Sequence, residues 1–241
     1  MVDWNVSVVA SASSTQDLLK ERALQDAAEG TVVQALLQTA GRGRHGNTWD
    51  SPMGNLYMSA LLCPDIPADQ AGQMAFVAAL ALSRAMDAYV DLRAHDKRLK
   101  WPNDILIDSL KVSGILLETT LQKDRVRHLM LGMGVNILCP PDGRIGLDAV
   151  KSKPVYVNVF RDDVLKALEY YYALWRVQGF SPIREEWLSQ AYGLGTDISV
   201  RLPEITLTGV FDGIDPDGAL ILRQGGHQNL IRSGDVHFGK M

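Results

Sequence analysis

The chain has 241 residues, 46% of them apolar, with a formal charge of -4 and two cysteines. That suits one large domain, or a medium domain with a small companion, around a well-buried core, and disorder is not the default reading. The acidic balance argues against a dedicated nucleic-acid binder, and no stretch is long and charge-free enough to span a bilayer.

The amino terminus lacks the basic start and apolar run of a leader, so a cytoplasmic protein is expected. Cys63 and Cys139 have no partner at metal-ligand spacing and are expected to be buried small hydrophobes. His45, His95, His128, His227 and His237 form no ligand pattern, so no metal held by protein side chains is expected.

In chain order, residues 6–10 read as a short strand. Ser14-Thr15-Gln16-Asp17 fits a capping box, and the segment after it continues as a helix to a stop at Gly30. Residues 31–39 read as a buried strand, followed by a glycine- and arginine-rich loop and the strand NLYMSALL. Over residues 69–90, Met74, Val77, Leu80, Leu82 and Met86 recur at helical spacing, predicting a long core helix. Residues 99–107, 112–121 and 126–137 predict strands joined by short turns, an antiparallel meander. Residues 139–154 are rich in proline and glycine and predict an exposed loop. Two helices follow, one over residues 162–178 ended by Gly179 with Leu165, Leu168, Tyr172 and Trp175 in the core, the other opening at Pro182. After Gly193-Leu194-Gly195 the short strands ISVRL, ITLTGVFDGI, ALILRQ, NLIR and VHFG predict a small barrel.

Four strings carry chemistry. In the loop from Gln38 to Trp49, Gly41, Gly43 and Gly46 match a GxGxxG dinucleotide fingerprint, but that fingerprint must open a helix. Asn47, Asp50, Ser51, Pro52, Gly54 and Asn55 exclude a helix directly downstream. Flexible backbone bearing Arg42 and Arg44 suits closure over a phosphate-bearing ligand; otherwise it is a solvated turn. Leu99-Lys100-Trp101-Pro102-Asn103-Asp104 is by itself a hairpin signal. Lys111 is either an ordinary exposed lysine or a partly desolvated cation directed at negative charge, with Gly114 permitting close backbone approach to a ligand. Gly132 and Gly134 interrupt a strand, as a bulge or a site of close packing would.

In this order and spacing, the Ser-Thr helix start, GRGRxG, KWPND, KxxGIL and GxGxN resemble the biotin–protein ligases, over nearly the whole chain. The resemblance implies an α+β fold: a mixed β-sheet with flanking helices as a catalytic domain over residues 1–192, and an SH3-like β-barrel over 193–241. It implies ATP-dependent activation of biotin to the adenylate, with Mg²⁺ on the phosphates and no permanently bound cofactor. Biotin would then pass to a lysine of a biotin carboxyl carrier domain. Carried over by position, Ser14, Thr15, Gln16 and Gln38 line the biotin pocket, with Arg42, Gly43 and Arg44 in the loop that orders over ligand and Gly114 beneath it. Trp49 either packs over the ligand or is a buried structural indole. Lys111 contacts both the carboxylate and the reacting phosphate, Arg44 supports it, and Asp104 orients or deprotonates the acceptor amine or else holds the hairpin. Arg42, Asn103 and Asn136 lie near the nucleotide. Two positions depart from the family, Gln16 standing for the usual Asn and Asn47 for a frequent arginine.

A lipoate ligase would carry an HD pair in its glycine-rich signature, and the glycine-rich loop of this chain has none. A biotin-responsive repressor needs an N-terminal helix-turn-helix domain, for which the Ser-Thr motif at residue 14 leaves no room, so no DNA and no membrane partner is expected. A catalytically dead biotin-binding module would not need Lys111 and both loop arginines. A homodimer is compatible with the sequence and not derivable from it.

Overall fold

The computed structural model describes residues 2–238. Seven strands make the larger sheet: β1 (Asn5–Val9), β2 (Thr31–Ala35), β3 (Leu56–Leu62), β4 (Lys97–Lys100), β5 (Asp104–Ile107), β6 (Leu110–Gln122) and β7 (Arg125–Val135). Their order is β1-β2-β3-β7-β6-β5-β4, with β1 parallel to β2 and every other pair antiparallel, so the sheet is mixed and its second half is the expected meander.

Strand periodicity separates two cores. Val33, Leu61 and Met130 face α1 (Thr15–Leu24) and pack with its Leu19 and Ala23. Their neighbours Val32, Leu62, Leu129 and Leu131 point the other way, toward α2 (Gln73–Met86), α3 (Val157–Gln178) and α4 (Phe180–Ser189). Phe76 of α2 meets Phe180 and Trp187 edge to face, at 5.2 and 5.1 Å, and α3 lies along α2 with Leu168, Tyr172 and Trp175 buried. The α1 face is covered only in part by that short helix. The remainder is left to loops, and there the site forms.

The second sheet is all antiparallel, β11-β10-β9-β8-β12, from β8 (Asp197–Arg201), β9 (Thr206–Ile214), β10 (Leu220–Gln224), β11 (His227–Ile231) and β12 (Asp235–Phe238), consistent with an SH3-like barrel. It is docked, not tethered. Ile198, Val200, Phe211, Ile214 and Leu220 belong to the same continuous core as α2 and α4, and Trp101 Nε1 donates to Gly218 O at 3.2 Å.

Several boundaries differ from the sequence reading. Helix α1 ends at Leu24 instead of running to Gly30: Asp26 turns left-handed (φ 58°), and Glu29 is drawn inward to accept from Cys63 N and Tyr172 Oη, both at 2.9 Å. The Ser14 side chain caps α1 by accepting from Gln16 N at 3.2 Å, while Asp17 pairs with Arg42 and does not close a capping box. Strand β2 stops at Ala35, since beyond it Gln38 N bonds to Ser51 O. Helix α2 is shorter than residues 69–90, preceded by a 3₁₀ turn at Ala68–Gln70. Helix α3 begins at Val157, and α4 at Phe180 with Pro182 inside its first turn, where a missing N–H is harmless. The loop expected to be exposed buries Leu147 and Val150, and Cys139, expected inside, is exposed.

Candidate functional site

On the α1 face, strands β6 and β7 pair Gly114 with Gly134 and Leu116 with Gly132. Side chains at these places would fill the space above the sheet. A Cβ on Gly134 would stand 2.7 Å from Trp49 Cε2, one on Gly114 2.8 Å from Trp49 Cζ3, and one on Gly132 3.1 Å from Gln16 Cδ. The strand-interrupting glycines are therefore a floor, kept bare so that Gln16 and the Trp49 indole lie flat on the backbone.

The glycine-rich loop folds over this floor as a hairpin. Gly43 N donates to Asn47 O at 2.7 Å and Trp49 N to Gly41 O at 2.9 Å, around a single 3₁₀ turn at Arg44–Gly46 with His45 at φ 56°. No helix follows it, which removes the dinucleotide-fingerprint reading. Floor, loop and the start of α1 enclose a cavity of about 490 Å³. Ser14, Thr15, Gln16, Gln38, Arg42, Gly43, Arg44, Trp49, Asn103, Asp104, Lys111, Gly114 and Asn136, singled out on sequence, all line it.

The two ends differ. At one end, Thr15 N donates to Gln38 Oε1 (2.8 Å), Gln38 Nε2 to Ser51 Oγ (2.9 Å), and the Thr15 and Ser59 hydroxyls meet at 2.8 Å. Gln16 Nε2 donates to Glu118 Oε2 at 3.1 Å and Met130 O at 3.3 Å, while its Oε1 is buried with no donor. Arg42 is turned to this end, pairing with Asp17 at 2.7 Å and Glu118 at 3.0 Å. Seven residues of extended β6 separate Glu118 from Lys111, roughly 20 Å.

At the other end Lys111 Nζ pairs with Asp104 Oδ1 at 2.6 Å, their side chains 19% and 16% exposed, and lies 5.2 Å from the Trp49 ring centre. Arg44 donates to Asn103 Oδ1 and Ser233 Oγ, each at 3.2 Å. Burial lowers the Arg44 guanidinium from its ordinary pKa, against the pull of Asp235 and Asp104. Burial likewise lowers the Lys100 amine; Asp104 opposes the shift, while the positive charge of Lys111 and Arg144 adds to it. Asn103 Nδ2 is anchored on Ile115 O at 2.6 Å. The buried oxygen of Asn136 and the indole N–H of Trp49 have no partner among the described residues, and buried polar atoms are normally paired. The arrangement offers a hydrogen-bonded amide and hydroxyl cluster, backed by the Arg42 ion pairs, at one end and Lys111 and Arg44 at the other.

Sequence reasoning missed Glu118, Tyr57, Asp142, Arg144, Ser233 and Asp235 at this site. Arg144 arrives because the loop after β7 folds back, Ile145 N donating to Lys111 O at 3.2 Å. The Tyr57 phenol, in the cavity wall, is pushed up to about 12, chiefly by burial. Ser233 and Asp235 come from the barrel, where no local pattern marks them. Glu118 alone had a signal, as the last residue of the Lys111 string.

A model of the biotin/lipoate A/B protein ligase family matches residues 8–136, and one of the biotin protein ligase C-terminal domain matches residues 193–239. The chain is 38% identical over 217 residues to the biotin–[acetyl-CoA-carboxylase] ligase of Paracoccus denitrificans, covering 86% of this chain and 90% of that protein. It is 35% identical over 236 residues to the bifunctional ligase/repressor BirA of Bacillus subtilis, covering 94% of this chain and 72% of that one. Among solved structures it is similar to the biotin protein ligase from Aquifex aeolicus in complex with biotin and ATP, with TM-score 0.81, 29% identity and 97% of each chain covered.

Proposed function

Since the chain belongs to the biotin/lipoate A/B protein ligase family, we propose that its cavity holds biotin along the glycine floor and ATP at the Lys111 end. The enzyme activates biotin with ATP as an adenylate and transfers it to a lysine of an acceptor protein. The observation that carries the placement is a single cavity with a hydrogen-bonding end at Gln16 and Gln38 and an end at Lys111 and Arg44 that carries cations. Biotin has the same polarity, a ureido ring at one end and a carboxylate at the other.

In the first step a biotin carboxylate oxygen attacks the α-phosphorus, the bond to the bridging oxygen breaks, and pyrophosphate leaves with that electron pair. Two anions must meet. Lys111 and Arg44 offset the repulsion and stabilise the charge that gathers in the transition state. Lys111 is already fixed by Asp104, so little reorganisation is needed when the phosphate arrives. Asn103 holds Arg44, and Asn136 offers its unpartnered oxygen to the nucleotide. Among the described residues no cluster of three or more His, Cys, Asp or Glu could hold a metal. Mg²⁺ in this reading enters on the triphosphate, where it neutralises charge, and the enzyme needs no resident cofactor.

The mixed anhydride is prone to hydrolysis, and the closed hairpin of residues 41–49 excludes water from it. In the second step the acceptor amine attacks the acyl carbon, the carbon–oxygen bond to AMP breaks, and the amine loses a proton. In this reading Asp104, in the cavity wall beside Lys111, orients that amine. Ser14, Thr15, Gln16 and Gln38 serve the ring, Trp49 and Gly114 the chain between, and Arg42 the ring end, not the nucleotide. A carboxylase carrier domain is the acceptor. The catalytic unit spans residues 1–192 and the barrel 193–241. The net charge is -4 and no described helix is long and apolar enough to cross a membrane; a cytoplasmic place with neither a DNA nor a membrane role is part of this proposal. The test supplies ATP, Mg²⁺ and either biotin or lipoate and follows pyrophosphate release and carrier labelling. Biotin supports both, and equal activity with lipoate would contradict the assignment of the ring end.

A further inference from the structure

Glu118 has no part in the chemistry just described, yet three elements converge on it. It sits on β6, and its Oε2 accepts from Gln16 Nε2 of α1 at 3.1 Å and from Arg42 Nη2 of the glycine-rich hairpin at 3.0 Å. The same Arg42 nitrogen reaches Asp17 Oδ1 at 2.7 Å.

The orientation of the Gln16 amide follows. Its nitrogen faces two acceptors, the Glu118 carboxylate and Met130 O. Turning it over would set an oxygen against both, which a buried amide does not tolerate. Oε1 is thereby committed as an acceptor, pressed on Gly132, and it has no donor among the described residues. A buried acceptor without a donor costs free energy that a ligand N–H recovers. The ureido ring of biotin carries two such groups.

We propose that Glu118 is a positioning residue that fixes Gln16 as an acceptor for a ring N–H and, through Arg42, latches the hairpin over the ring. This rests on the biotin-ligase reading above and deepens it. It links recognition to closure, because one carboxylate oxygen holds both the Gln16 amide and Arg42 of the hairpin. A ring without that N–H leaves the amide strained against its own anchor. Asp17 is the second half of the latch. The pair is partly exposed, with side chains 41% and 43% accessible for Arg42 and Asp17 and 29% for Glu118, so hydrogen-bond geometry contributes more than net charge attraction.

The experiment measures biotin-dependent ATP–pyrophosphate exchange by the whole chain, with biotin and with an analogue methylated on a ring nitrogen. Glu118→Gln keeps the size and removes the charge that orients both donors. It raises the KM for biotin about tenfold, the cost of one charge-assisted hydrogen bond, and the KM for ATP less than about twofold. Wild type prefers biotin to the methylated analogue, and Gln16→Leu abolishes most of that preference. In the Gln16→Leu background, adding Glu118→Gln changes the KM for biotin by less than about threefold, because one of its two targets is gone and only the partly exposed Arg42 contact remains. An undiminished tenfold effect in that background, or equal rises in both KM values, would overturn the proposal. If Glu118→Gln does not fold, Asp17→Asn at the exposed start of α1 tests the latch: faster biotin dissociation supports it and an unchanged rate opposes it. Exchange by wild type that does not depend on biotin would refute the ligase reading itself. Biotin-dependent exchange with unaffected variants would refute only the latch.

Discussion

The two ends of the cavity are built on opposite principles. At the Gln16 end Thr15, Gln38 and the Gln16 amide nitrogen are committed to neutral or charge-assisted hydrogen bonds inside the protein, so the surface shown to a ligand is shaped beforehand. At the Lys111 end the groups are ions balanced against each other, Lys111 by Asp104 and Arg44 by Asp104 and Asp235. The first end gains specificity from fixed direction. The second keeps cations desolvated and paired, so an incoming phosphate meets charges already in position. Recognition and chemistry can then be damaged separately.

The largest separation comes from Lys111→Ala, which lowers the single-turnover rate of adenylate formation about a hundred- to thousandfold. Biotin binding measured without ATP changes far less. The variant leaves the buried Asp104 carboxylate unpaired, so it also melts earlier, and Lys111→Ala/Asp104→Asn recovers melting temperature without recovering rate. Equal loss of biotin affinity and rate would mean that the ends are not separate. Next is Gly134→Val, which forces Trp49 off the floor between them. Overpacking of this kind costs about 1–3 kcal/mol, and biotin affinity and adenylation fall together by about ten- to a hundredfold. Arg44→Gly has a smaller effect on formation than on retention. With the contacts to Asn103 and Ser233 gone, the adenylate dissociates about tenfold faster and labels lysines of a bystander protein. The smallest effect is ionic. Raising salt from about 0.05 to 0.5 M weakens the partly exposed Arg42 pairs and raises the KM for biotin about twofold. The buried Lys111–Asp104 pair is screened less, so the maximal rate hardly moves.

What could be read from the sequence follows the range of the interactions. The meander, the flanking helices and the barrel strands were legible because hydrophobic period and turn residues are local. Lys111, Asn103, Asp104 and the loop arginines were legible as compact strings. The glycines at 114, 132 and 134 were visible as interruptions, but their purpose required the register that sets Gly114 beside Gly134 under Trp49. The end of α1 was misplaced because QDAAE has ample helix propensity, and only Cys63 and Tyr172, far along the chain, draw Glu29 out of it. Ser233 meets Arg44 across 189 positions, a contact that no window of sequence contains. The Arg42 string was legible as a compact motif, and it lines the cavity. Its direction was not, since Asp17 and Glu118 lie on separate elements.

The barrel shares its hydrophobic interior with α2 and α4, and Arg184 Nε donates to Ile214 O at 2.6 Å across the junction. A shared interior makes the two sheets one thermodynamic unit. Calorimetry should show a single cooperative transition whose van't Hoff and calorimetric enthalpies agree. Phe211→Ala, deep in the barrel, should lower that one melting temperature by removing about 3–5 kcal/mol of packing. The protein would lose the cavity and the barrel at the same temperature, so heat inactivation of adenylation would report on a residue that touches neither substrate.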